Sequence, residues 1–169
     1  MPAASPKIIL LMGVAGSGKS TIGRLLASEL NWPYFEADDF HSGANKEKMS
    51  RGIPLNDDDR APWLAAIRAR IDECVATGQS GVFTCSALKE KYRQVLMGAA
   101  PTVKLVYLAA DVATIQQRVS LRKEHYMKAD MVQSQFAALE VPPDALTLDT
   151  RESPEFIVEK IKQAIDPKL

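Results

Sequence analysis

The residues with the clearest chemical consequence are the run Gly13, Val14, Ala15, Gly16, Ser17, Gly18, Lys19 and Ser20, which fits G-x-x-x-x-G-K-[ST] in full. The chemistry is phosphate binding. Glycines at 13, 16 and 18 let successive backbone N–H groups point inward at an anion, and the positive end of the helix that follows adds to the field. Lys19 can reach the β- and γ-phosphates of a nucleotide, Ser20 can place its hydroxyl on Mg²⁺, and Thr21 completes the binding set. The bland alternative, a glycine-bearing turn with no ligand, leaves the agreement of the whole run with its context unexplained. A P-loop alone does not separate a GTPase switch, an ATPase motor and a metabolite kinase.

Such a loop needs a strand before it and a helix after it, and both are present. Apolar runs with little alternation, the pattern of parallel strands buried on both faces, occupy Lys7 to Met12, Pro33 to Glu36, Gly81 to Cys85, Val103 to Leu108 and Ala145 to Leu148. Between them lie helical patterns. Ile22, Leu25, Leu26 and Leu30 mark a stripe on a helix from Lys19 to about Leu30. Pro62 falls near the start of a helix reaching toward Thr77, Asp111 can cap one toward Lys123, and Ser153 before Pro154 opens the last. Alternation of this kind predicts an α/β, three-layer fold on a five-stranded parallel sheet, with ligands at the carboxyl ends of the strands.

The length of 169 residues suits a single domain covering 1–169, and 46% hydrophobic with 25% charged residues is the balance of a soluble globule. A formal net charge of zero argues against a nucleic-acid binder that relies on a global positive field. Cys74 and Cys85 have no metal or disulfide spacing and read as reduced packing residues. The stretch Ile8 to Met12 is too short to span a bilayer, so no membrane partner is expected and the cytoplasm is the default compartment.

Downstream of the loop, Asp38-Asp39-Phe40-His41, Asn45 to Met49, Gly52 to Arg60 and Pro62-Trp63-Leu64 closely resemble the gluconokinase family. So do Cys85 to Lys89 with Tyr92-Arg93, the pair Arg118 and Arg122 before His125, and Ser134-Gln135-Phe136 with Leu139-Glu140. Ala37, Ser42 and Glu124 depart from the family's usual glycine, proline and glycine. The resemblance implies transfer of the γ-phosphoryl group of ATP to the 6-hydroxyl of D-gluconate, on a fold shared with shikimate and adenylate kinases. It also implies a mobile lid around 118–138 and leads one to expect a homodimer. A kinase of another small hydroxy acid, shikimate-like, stands as the alternative, with a nucleotide-binding regulatory module behind it.

Asp38 falls just after the second strand, where it would face the γ-phosphate, deprotonate the attacking hydroxyl and help order Mg²⁺; a capping role is the competing reading, and Asp39 is the rival carboxylate. His41 can bond a hydroxyl and Arg60 can clamp a carboxylate, unless Arg60 is taken up by the run Asp57 to Asp59. Arg118 and Arg122 are four apart on a predicted helix and so share a face. With the resemblance to adenylate-kinase lids, Arg118 is assigned to adenine or nearby phosphate and Arg122 to the phosphates. Ser86 and Lys89 follow the third strand at the ligand-bearing end, where they approach gluconate or begin a helix. Gln135 offers a donor and an acceptor to a sugar hydroxyl, and Trp63 and Phe136 read as core.

Overall fold

The computed structural model describes residues 4–98, 102–121 and 129–167. Its strands are β1 Ile8–Met12, β2 Tyr34–Glu36, β3 Gly81–Thr84, β4 Val103–Ala109 and β5 Leu146–Asp149. All pairs are parallel and the order across the sheet is β2-β3-β1-β4-β5. Each predicted strand is found, with its ends shifted by no more than one residue.

The unbroken apolar run of β1 has a direct structural cause: every one of its residues is 0% exposed, and alternate side chains enter different cores. Ile8, Leu10 and Met12 join Ile67, Ile71, Phe83 and Leu96 on one face, whereas Ile9 and Leu11 join Leu26, Val82, Ile157 and Ile161 on the other. At about 1.5–3 kcal/mol for each fully buried large apolar side chain, this central strand ties the two helical layers together. The first layer holds α3 Asp57–Ala76 and α4 Glu90–Met97; the second holds α1 Lys19–Leu30 and α7 Pro154–Ile165. The helix α2 Gly43–Ser50 lies outside both cores, and α5 Val112–Leu121 and α6 Ala129–Ala138 meet above the P-loop. There Ile115 and Val132 form a small third cluster with Val14 and Leu88.

α1 lies close on the sheet because Gly23 has no side chain. A Cβ at that position would stand 2.7 Å from Tyr34 Cε2 and 2.8 Å from Thr84 Cγ2, so the second turn of α1 is held against the side chains of Tyr34 in β2 and Thr84 in β3.

The start of α3 differs from the sequence expectation. It begins at Asp57, with Pro62 inside it, because Asn56 and Asp59 form a reciprocal capping box and three acidic residues occupy the positive first turn. α2 was not expected, since it is polar on all sides; its Ser42 side chain accepts from Asn45 N at 3.1 Å and so caps it. α7 begins as predicted, with Ser153 Oγ accepting from Phe156 N. Asp111 accepts from Thr114 N at the start of α5, whose expected end at Lys123 lies outside the described residues. No helix among the described residues is long and apolar enough to cross a membrane.

Candidate active site

The loop between β1 and α1 turns through Gly16 (φ 85°) and Gly18 (φ 97°), both in the left-handed region that side chains disfavour. Gly18 is the N-cap of α1 and supplies no side-chain cap, so the first N–H groups of the helix are available to a ligand. Lys19 folds back over the loop, its Nζ donating to Gly13 O at 3.0 Å and to Val14 O at 3.1 Å.

Facing this loop is a cavity of about 250 Å³. Ala15, Gly16, Gly18, Lys19, Ser20 and Thr21 line one side; Glu36, Ala37, Asp38, Thr84, Cys85 and Ser86 line the other. A larger hollow of about 590 Å³ lies between α4 and the amino ends of β4 and β5, at the end of the sheet remote from the P-loop. Size therefore does not identify the site; the convergence of phosphate-binding amides, a lysine and two carboxylates does.

Glu36, the last residue of β2, has no counterpart in the sequence reading. Ser20 Oγ donates to its carboxylate, lying 2.9 and 3.0 Å from the two oxygens, and the Tyr34 phenol donates to it as well. Tyr34 also lies 3.1 Å from Thr84 Oγ1. Burial, then the bond to Glu36, raises the phenol's pKa, which keeps it a donor. The available signal was a carboxylate at the carboxyl end of an apolar strand, where ligands of such sheets collect.

Asp38 and Asp39 sit in the 3₁₀ turn Ala37–Phe40. Both are exposed, but Asp38 lines the cavity and Asp39 does not. Trp63 Nε1 donates to Ala37 O at 2.7 Å, anchoring this turn to α3. The Trp63 ring also stacks on His41, with centroids 4.3 Å apart and an interplanar angle of 11°. His41 Nδ1 lies 3.3 Å from Asn45 Nδ2, which donates to Asp59 O at 2.9 Å. Burial pushes the imidazole below its ordinary pKa, and the charge of Asp38 opposes that shift in part.

Arg60 lies over the Tyr92 ring, 5.5 Å from its centroid, donates to Tyr92 Oη at 3.2 Å and stands 3.7 Å from Asp57 Oδ1. The competing ion pair with the acidic run is thus present, though the guanidinium side chain remains 31% exposed. The acidic run itself is taken up structurally: Asp57 accepts from Tyr92 and Lys91, and Asp59 from Lys48 and Asn56 N. These bonds hold both carboxyls below their ordinary pKa.

Ser86 lines the cavity, and its carbonyl accepts from Gly13 N at 3.3 Å. Lys89 is the N-cap residue of α4 and gives no side-chain cap. Gln135, expected on a sugar hydroxyl, meets the P-loop, its Oε1 accepting from Ala15 N at 3.1 Å. Arg118 braces the outer side of that loop, donating to Gly16 O, Ser17 O and Thr150 O at 3.4, 3.2 and 2.5 Å. Arg122 and His125 lie outside the described residues. Both cysteines are free and buried; burial drives the Cys85 thiol up to about 12, which keeps it protonated.

Known proteins are similar to this chain over most of its length. The shikimate kinase family model matches residues 15–166. A probable gluconokinase of Mus musculus is 42% identical over 158 residues, covering 83% of this chain and 85% of the relative. The gluconokinase of Gluconobacter oxydans is 39% identical over 159 residues, covering 92% and 89%. Among solved structures, a gluconokinase from Sinorhizobium meliloti superposes with a TM-score of 0.80 at 38% identity, covering 92% of this chain and 89% of that one. Identity of this order over most of both chains is more than a common fold requires: the chain belongs to the gluconokinase family.

Proposed function

We propose that the protein transfers the γ-phosphoryl group of ATP to the 6-hydroxyl of D-gluconate, giving 6-phospho-D-gluconate and ADP. The observation that carries this reading is one cavity shared by Lys19 and the P-loop amides on one wall and Asp38 and Ser86 on the other. In the reaction Asp38 takes the proton of the attacking hydroxyl. The hydroxyl oxygen forms the new bond to the γ-phosphorus while the bond from that phosphorus to the β,γ-bridging oxygen breaks and ADP leaves, and Lys19 offsets the charge that develops. Gly13, Val14, Ala15, Gly16, Ser17, Gly18 and Thr21 complete the nucleotide site. His41 stays neutral near pH 7 and bonds an acceptor hydroxyl, and Arg60 clamps the gluconate carboxylate.

The donor set suits Mg²⁺: Ser20 Oγ and the Glu36 carboxylate are hard oxygen ligands already within 3.0 Å of each other, and Asp38 shares the cavity with them. When bound, the ion offsets phosphate charge. Arg118 and Arg122 serve the nucleotide, Lys89 and Gln135 assist at the acceptor side, and closure of residues 118–138 as a lid excludes water from the cavity.

A coupled ADP-release assay with gluconate, shikimate, glycerate and no acceptor tests the reading. Gluconate alone should stimulate ADP release strongly. A preference for shikimate or glycerate would refute the substrate, and acceptor-independent hydrolysis would refute the reaction.

A further inference from the structure

The segment at residues 85–89 connects β3 to α4 and places Ser86 beside the P-loop. Its backbone is held in an unfavourable form: Ala87 has φ 45°, a left-handed conformation that a residue with a Cβ rarely adopts. Such a conformation persists only where its surroundings hold it in place. One restraint comes from α4, where Arg93, 2% exposed, donates from Nη1 to Ala87 O at 2.8 Å and from Nη2 to Glu90 Oε2 at 3.0 Å.

The other restraint comes from far along the chain. Glu140 N donates to Leu88 O at 2.7 Å, and Glu140 Oε1 accepts from Glu90 N at 2.9 Å. Glu90 is the first residue of α4, and the N-cap residue Lys89 makes no side-chain cap. A carboxylate delivered from fifty positions away therefore fills the capping role that the local sequence leaves open. Glu140 follows directly on α6, whose Gln135 holds Ala15 N and whose Val132 packs with Val14 and Leu88. One helix thus grips the phosphate loop through Gln135 and the acceptor loop through Glu140 just past its end.

We propose that Glu140 is a positioning residue for the acceptor: by capping α4 and pinning Leu88, it fixes the loop at residues 86–89 in the form that receives the hydroxy acid. It does not touch the reacting atoms. The inference rests on the gluconate reading above for its kinetic test, and on the loop geometry alone for its second one.

Glu140 is exposed, so its replacement leaves the core intact. Glu140→Ala should raise KM for gluconate by about tenfold, the size expected for one charge-assisted hydrogen bond, with kcat and KM for ATP within about twofold of wild type. Glu140→Gln keeps a carbonyl that accepts from Glu90 N and should restore KM to within about threefold. Equal rises in both KM values, an unchanged KM with only a lower Tm, or a Gln variant as impaired as the Ala variant would each overturn the proposal.

Wild-type turnover of gluconate is measured first and judges the substrate independently. Amide hydrogen exchange needs no substrate and decides the positioning role in either event: Glu140→Ala should speed exchange at Glu90 and its neighbours while leaving the amides of β1 unchanged. Unaltered exchange at Glu90 would sink the idea even in an active gluconokinase.

Discussion

The P-loop takes its ligand groups from the backbone of consecutive residues, whereas the wall opposite draws on stretches far apart in sequence: Glu36 at the end of β2, Asp38 in the turn after it, Thr84 at the end of β3 and Ser86 beyond it, with His41 before α2 and Arg60 in α3 proposed as the acceptor contacts beside them. The first wall has its shape written into local glycines and one helix start. The second depends on side-chain bonds between elements, such as Trp63 to Ala37 O, Asn45 to Asp59 O and Tyr92 to Asp57. A change on the phosphate wall should therefore remove chemistry and spare the fold. A change on the acceptor wall should affect binding, pH response and stability together.

The largest effect is expected where that contrast is most extreme. Lys19→Ala should lower kcat by at least about a hundredfold, the scale seen when one preorganised electrostatic contact is lost, while the melting temperature stays close to wild type. The side chain bonds the P-loop carbonyls of Gly13 and Val14. Substantial unfolding, or activity within a few-fold of wild type, would erase the distinction between the walls. Circular dichroism melts beside single-turnover rates give both answers.

Next in size is the choice of carboxylate. Asp38→Asn preserves shape and removes the proton acceptor, so single-turnover rates should fall by roughly a hundredfold or more while ATP and gluconate bind within about tenfold of wild type. Asp39→Asn is the control, since Asp39 does not line the cavity. Equal losses would leave the base unassigned to either, and a larger loss at Asp39 would move it one residue along the turn. Binding and chemistry must be measured separately, because slow product release can mask a chemical defect in steady-state rates.

The same contrast explains what could be read from the chain. β1, the P-loop and α1 follow from neighbours in sequence: an apolar run, three glycines and an amphipathic stripe. Asp38 was legible because it follows a strand at the ligand-bearing end. Glu36 was not, because its importance comes from Ser20 and Tyr34 converging on it across α1 and β2. The contact of Gln135 with the P-loop was not legible either, because nothing in its spacing reveals that α6 lies against Ala15. The early start of α3 was missed because Pro62 drew the boundary, although the capping pair Asn56 and Asp59 stood six and three residues before it.

The smallest expected effect separates the walls by pH. His41 has a folded pKa lowered from its ordinary value of 6.5, chiefly by burial, with Asp38 raising it and Lys46 and Arg60 lowering it. As pH falls through that ordinary value, the unfolded chain takes up a proton that the folded imidazole still refuses, so the unfolded state gains and stability drops. The loss continues until the lower folded pKa is passed. His41 should therefore contribute a positive slope of Tm against pH in the window below about pH 7. His41→Gln should flatten that slope by the equivalent of a few °C across about two pH units. The variant also loses the stack on Trp63, which lowers Tm at every pH, so the slope and not the absolute value is the readout. The other histidine, His125, is common to both proteins and drops out of the difference. Parallel curves for wild type and variant would mean that burial does not hold the folded imidazole below its ordinary pKa, and the acceptor wall would then lose its distinct pH response.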